Sequence, residues 1–239
     1  MSILTLDSHI SYDDIDQNMN LSLKGALRLM QEAAMIHSGQ VGFSVADVEK
    51  TRVTWMLVQW RVRLVNPVRW SEKVTVYTWP KSMERATSMR NFEILGSDES
   101  VAAIGESNWV LVSADTGRIV RITPQVAAAY DLTSREVFST PMPEIVSAGG
   151  EVTWRSVVGR RDIDTNRHVN NRVYLDYAKE ALPEDACHIL FREVSVRYRK
   201  QLLPGDSFCC RYSCCKGKHM VDICEDGSEI VHGTVVFSE

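Results

Sequence analysis

Two stretches of the chain repeat apolar residues with a helical period, and each is followed by segments that alternate apolar and polar. In the first stretch Ala26, Leu29, Met30 and Ala33 recur at i, i+3, i+4 and i+7; in the second Tyr174, Tyr177, Ala178 and Ala181 do the same, which places each set on one helix face. Asn20 or Ser22 ahead of the first helix, and Asn170 or Asn171 ahead of the second, offer side-chain oxygens suited to an N-cap. Behind the first helix, TWMLVQWRVRLV, EKVTVYTW, ATSMRNFEIL and VAAIGESNWVLVS read as strands. Behind the second, FREVSVRYRKQLL, SFCCRYSC, HMVDICED and EIVHGTVVFS do so. LGSDES and EDGSE supply the turn between the last two strands of each set. Each half is therefore expected to be one helix followed by an antiparallel meander.

The halves are copies of one another. DIDQNMNLSLKGALRLMQEAA from Asp14 and DIDTNRHVNNRVYLDYAKEAL from Asp162 align without a gap at an offset of 162 − 14 = 148. Asp14, Ile15, Asp16 and Asn18 fall on Asp162, Ile163, Asp164 and Asn166, and Glu32 and Ala33 fall on Glu180 and Ala181. Registering Glu72 on Asp206 gives an offset of 134, so 148 − 134 = 14 residues are missing from the second helix-to-strand connection. The expected class is α+β, with an N-terminal unit over 1–132 that includes the start of a linker, the linker itself over 133–150, and a C-terminal unit over 151–239. Prolines and a Gly-Gly mark that linker.

Composition narrows the function classes. With 239 residues, 44% hydrophobic and 24% charged, the chain can bury a core in one large or two small domains. A net charge of −4 gives no whole-molecule attraction to nucleic acid, and no RNP, helix-turn-helix or zinc-finger pattern occurs. The start, MSILTLDSHISYDD, lacks a signal-peptide core and a transit-peptide composition, and no apolar run approaches the roughly 18 residues of a membrane span. A cytoplasmic protein with reduced thiols is expected. The adjacent cysteines of FCCRYSCCKGK point to opposite faces of a strand and show no CxxC spacing, so they read as packing residues, with no metal site and no cofactor.

The chemistry-bearing run is RRDIDTNRHVNN, residues 161–172. The first copy shares its DIDxN, which a capping and turning role explains in both halves. It has Asn20 where the second copy has His168. One half is thus expected to be chemically competent and the other structural.

DIDTNRHVNNRVYLDYAKEAL, the strand pair LVQWRVRLV and VTVYTW, and the duplication together resemble the acyl-acyl-carrier-protein thioesterases, the plant FatA/FatB type and its bacterial relatives. The untargeted bacterial form fits better. The resemblance implies a double hotdog fold, a long helix wrapped by an antiparallel sheet in each unit. It also implies hydrolysis of the thioester between a fatty acyl chain and the phosphopantetheine arm of acyl carrier protein. The family's D-x-N-x-H residues fall on Asp164, Asn166 and His168. In those roles His168 would take a proton from water, Asn166 would donate to the thioester oxygen together with the backbone at the helix start, and Asp164 would orient one of them. Alternation at every second residue is expected to present the three on one side of an extended loop.

The chain departs from the family on the first strand after this helix. Gln201 stands where the family's glutamate is expected, and Leu202 where the plant enzymes carry cysteine. A glutamine can hold a water but cannot take its proton. The base is then His168 or Asp164.

An acidic carrier protein calls for a basic docking face, for which Arg160, Arg161, Arg167, Arg172, Arg192, Arg197, Arg199 and Lys200 are the candidates. For the acyl chain the candidates are Met30, Met35, Trp55, Met56, Leu57, Val58 and Trp60. Alternatives are an acyl-CoA thioesterase of the same superfamily and a non-catalytic acyl-binding protein. A homodimer is left open.

Overall fold

The computed structural model describes residues 3–239. Two compact units divide between Met142 and Pro143, inside the stretch 133–150.

The first unit opens with strand β1 (Leu4–His9), then helix α1 (Leu23–Gln40) and the short α2 (Val48–Thr51). Ser22 caps α1 by accepting from the Gly25 N–H, and Leu23, Ala26, Leu29, Met30 and Ala33 are buried, so the apolar stripe read from the sequence is the face that packs. Strands β2 (Val53–Leu64), β3 (Lys73–Glu84), β4 (Thr87–Gly96) and β5 (Val101–Ser113) follow, then α3 (Pro124–Ala129). Trp60, Trp79, Phe92 and Ile94 are fully buried in the core of this unit. Gly25 is needed where α1 meets the preceding turn, because a Cβ there would lie 2.3 Å from the Asp14 carbonyl oxygen.

The sheet is antiparallel in the order β1-β3-β4-β5-β2. It is therefore not a simple meander from β2. Strand β2 pairs with β5, and β1 takes the edge beside β3. The reason lies in residues 65–72. Instead of folding back as a hairpin, this connection holds the polar loop: Val68 O accepts from Leu21 N–H (2.8 Å), the Trp70 N–H donates to Met19 O (3.0 Å) and the Ser71 N–H donates to Ile10 O (2.9 Å).

The second unit repeats the plan with β6 (Glu151–Val157), α4 (Val173–Glu180), α5 (Glu184–Cys187), β7 (Glu193–Tyr198), β8 (Ser207–Cys215), β9 (Lys218–Glu225) and β10 (Val231–Ser238). Its strand order is β7-β10-β9-β8-β6, again antiparallel. Tyr174, Leu175, Tyr177 and Ala178 form the buried face of α4, and the Tyr177 ring packs tilted against Phe208 on β8, with centroids 4.4 Å apart. At 8 residues, against 18 in α1, this helix is the shorter one. The missing residues fall here, and Pro183, which cannot continue a helix, follows its end. Cys209, Cys210 and Cys224 are buried in the sheet while Cys187, Cys214 and Cys215 are exposed.

Both sequence offsets reappear as hydrogen bonds. Ile10 N–H to Glu72 O matches Val158 N–H to Asp206 O, and Leu21 N–H to Val68 O matches Val169 N–H to Leu202 O. In these pairs the donors differ by 148 (10 to 158, 21 to 169) and the acceptors by 134 (72 to 206, 68 to 202). Residues 133–150 are tied down along their length. Trp79 Nε1 and Asn91 Nδ2 donate to Arg135 O in the first unit, and Arg199 holds Ile145 O and Asp222 holds Ser147 in the second. No helix among the described residues is long and apolar enough to cross a membrane.

Candidate active site

The run at 162–170 folds as a tight turn with a closed neck. Ile163 and Val169 bridge, the Asp164 N–H donates to His168 O (3.0 Å), and the Arg167 N–H donates to Asp164 O (3.1 Å). Arg167 takes the left-handed conformation at φ 66°, which costs a residue with a Cβ about 1–2 kcal/mol. Asp164 offsets it by accepting the Asn166 N–H on Oδ1 (2.8 Å). The first copy is built the same way. Ile15 bridges Leu21, the Asp16 N–H donates to Asn20 O, Met19 sits at φ 64°, and Asp16 Oδ1 accepts from the Asn18 and Asn20 N–H groups. The shared DIDxN thus encodes the turn, and the substitution of His168 for Asn20 alters its chemistry without altering its backbone.

This geometry corrects the expected extended presentation. Because the turn reverses the chain, Asp164 and His168 meet across the neck, with Oδ1 and Nδ1 3.9 Å apart and both side chains 19% exposed. That separation is an electrostatic contact, too long for a hydrogen bond. His168 Nδ1 also lies 3.3 Å from Val169 O. Asn166 is exposed at the tip, and its carboxamide makes no hydrogen bond among the described residues.

Buried groups hold the turn from beneath. Asp162 accepts from the Gly159 N–H and the Tyr177 hydroxyl, both at 2.8 Å. Burial and the neighbouring Asp162 carboxylate both push the Tyr177 phenol up, so it stays a donor at neutral pH. Tyr198 donates to Asn171 O (2.8 Å) and Tyr174 to Lys200 O (3.4 Å), and burial raises both phenols as well. In the first copy Asp14 instead takes Arg28, through Nε and Nη2. Burial works against the charge on Asp14, but the bonds from Arg28 and Ser11 prevail and hold its carboxyl below the ordinary carboxylate range. The supporting tyrosines were not read from the sequence as site residues, although Tyr174 and Tyr177 lie on the apolar face it revealed.

Of the expected caps, Ser22 serves α1. In the second unit the first turn begins at Arg172, whose N–H is accepted by Asn170 Oδ1 (3.0 Å). Gln201 does not lie on a strand. Strand β7 ends at Tyr198 because the Arg199 and Lys200 N–H groups both turn to His232 O (2.8 and 3.2 Å), which breaks the ladder. Gln201 is exposed in the connection that follows, next to Leu202, whose carbonyl holds the neck of the turn.

Of the basic candidates, Arg160, Arg161, Arg167 and Lys200 are exposed and Arg172 is half-buried. Arg199 is exposed as well, and its guanidinium binds within the unit, on Thr234 Oγ1 (2.7 Å) and Ile145 O (3.0 Å). Of the apolar candidates, Met30 and Trp60 are fully buried, Leu57 is buried, and Trp55 and Val58 are half-buried. Met35 and Met56 are surface residues at 43% and 36% exposure, since each lies off the inward face of its element.

The acyl-ACP thioesterase N-terminal domain family matches residues 5–130, and its C-terminal domain family matches residues 152–237. Oleoyl-acyl carrier protein thioesterase 2, chloroplastic, of Arabidopsis thaliana is 26% identical over 219 residues, covering 81% of this chain and 58% of the relative. The oleoyl-acyl carrier protein thioesterase of Coriandrum sativum is 24% identical over 213 residues, with the same coverage. The chain therefore spans under two thirds of the length of these relatives. Among solved structures, an acyl-ACP thioesterase from Bacteroides thetaiotaomicron superposes with a TM-score of 0.88 at 20% identity, over 99% of this chain and 97% of that one. The 12:0-ACP thioesterase from Umbellularia californica does so with 0.83 at 16% identity, over 100% and 97%. These likenesses establish the tandem hotdog fold, and the two domain matches, which together cover most of the sequence, place the chain in the acyl-ACP thioesterase family.

Proposed function

We propose that the chain hydrolyses the thioester linking a fatty acyl chain to the phosphopantetheine arm of acyl carrier protein and releases the free acid, with the reaction at Asp164, Asn166 and His168. One observation carries this reading. An imidazole faces a carboxylate across the neck of a turn whose twin, with the same backbone, has an amide instead.

A thioester carbonyl seated over the turn would accept from Asn166 Nδ2, and the backbone N–H groups at the start of α4 would add to the stabilisation of the oxyanion. His168 takes a proton as water attacks the carbonyl carbon. Asp164 favours the imidazolium so formed. As the tetrahedral intermediate collapses, the C–S bond breaks and His168 returns the proton to the leaving thiolate. Gln201 can orient the water but cannot deprotonate it.

Exposed Arg160, Arg161, Arg167 and Lys200 are assigned to the acidic carrier protein. Met30, Trp55, Val58 and Trp60 are assigned to the acyl chain. A cytoplasmic location belongs to the same reading. The test follows free thiol released from acyl-acyl carrier protein by wild type, His168→Ala and Asp164→Ala. Loss of turnover in both variants is expected, and unchanged hydrolysis by His168→Ala overturns the assignment. Gln201 in place of a carboxylate favours one rival, a non-catalytic acyl-binding protein, which would retain acyl-carrier protein without releasing thiol.

A further inference from the structure

The second unit holds another imidazole that its twin lacks. The Arg199 N–H donates to His232 O at 2.8 Å, and the Val65 N–H donates to Ala102 O at 2.8 Å. Since 65 + 134 = 199, the two bonds are equivalent, and His232 on β10 stands where the first unit has Ala102 on β5. Both residues are buried, His232 at 2% exposure and Ala102 at 0%. A methyl group suffices at this position in the structural copy.

The chain these residues touch also differs. Asn66, Pro67 and Val68 in the first unit correspond to Lys200, Gln201 and Leu202 in the second. Pro67 has its φ fixed by its ring. Gln201 has no such restraint, yet Leu202 must still present its carbonyl to the Val169 N–H at the neck of the reactive turn (2.9 Å). His232 Nδ1 lies 3.2 Å from Lys200 O and 3.1 Å from Gln201 O. Carbonyl oxygens only accept, so the hydrogen of the ring is on Nδ1 and is shared between the two.

We propose that His232 is a positioning residue for the hydrolysis reaction, its Nδ1–H tying down the 200–202 segment that presents Gln201 and anchors the turn bearing Asp164 and His168. The proposal rests on the hydrolase reading above. His232 itself contacts backbone, and its effect reaches the reacting groups through Gln201 and Leu202.

The test compares His232→Asn, whose carboxamide N–H can replace the Nδ1–H, with His232→Leu, which fills space without a donor. For each, kcat and KM on acyl-acyl carrier protein, the thermal midpoint and hydrogen exchange of the Val169 amide are measured. In His232→Leu, kcat is expected to fall about tenfold, below the roughly hundredfold that a full 1 Å misplacement can cost, with KM within about twofold and faster exchange at Val169. His232→Asn should stay within about threefold of wild type, because the positioning bond is kept. Wild-type kcat in His232→Leu overturns the proposal, as does an equal loss in both variants at matched thermal midpoints. A wild type that releases no thiol defeats the hydrolase reading separately, and unchanged Val169 exchange in His232→Leu then overturns the positioning role on its own.

Discussion

Replacing His168 by asparagine makes the turn at 162–170 a copy of its twin. Asn20 already occupies the equivalent position with the same backbone hydrogen bonds, so His168→Asn introduces no strain. The side chain is partly exposed and its contact with Asp164 is 3.9 Å long, an interaction worth about 0–1 kcal/mol. Stability should therefore change by no more than about 1 kcal/mol, which moves the thermal midpoint by only a few degrees in a chain of this size. Turnover should fall much further. Removal of a general base costs about 10²- to 10⁴-fold, or roughly 3–5 kcal/mol in activation free energy. The assay is thiol release from saturating acyl-acyl carrier protein, paired with calorimetry on the same preparation. A variant that keeps wild-type kcat refutes the base assignment. One that loses activity together with a large drop in midpoint refutes the claim that the two turns share a fold independent of residue 168.

Gln201→Glu supplies the carboxylate that the family pattern expects, and steady-state kinetics should show kcat equal to or above wild type; a clear loss would mean that Gln201 is not placed to serve the attacking water. Gly25→Ala forces a Cβ to within 2.3 Å of the Asp14 carbonyl, a backbone clash that cannot relax by a side-chain rotation, so chemical denaturation should show a loss of about 2–4 kcal/mol. Asp14 titrates below its ordinary range when folded. Its contribution to stability is therefore present above the unfolded carboxylate pKa near 4 and is lost as pH falls through the lower folded value. Asp14→Asn should flatten the acid limb of the stability curve of the first unit while leaving the region above about pH 6 parallel to wild type.

Much of this architecture is written in periodicity. The faces of α1 and α4 and the strands behind them follow from apolar spacing, while the two offsets follow from the repeated DIDxN run and the match of Glu72 with Asp206 and survive in the structure as paired hydrogen bonds. The edge strands were hidden for a physical reason. Every residue of β6 is exposed or half-buried, and its apolar alternation stops after Val152 and Trp154; in β1 only Leu4 is buried. Strand order was also hidden, because it depends on what residues 65–72 bind rather than on their composition.

At the candidate site, residue types were legible and their facing was not. Asn166 would be the natural occupant of a left-handed position, yet Arg167 takes it, and that single choice brings Asp164 opposite His168. Gln201 leaves the strand because of a bulge at His232, a residue 31 positions further along the chain.

The central claim is that this chain breaks an acyl thioester. Purified protein given acyl-acyl carrier protein and the matched acyl-CoA, with free thiol and free fatty acid both quantified, tests it most directly. Equimolar release of thiol and acid is expected, with a kcat/KM at least about tenfold higher on the carrier-protein substrate, the scale of a docking face that adds about 1.4 kcal/mol. Tight retention of the acylated carrier with no thiol released would contradict it.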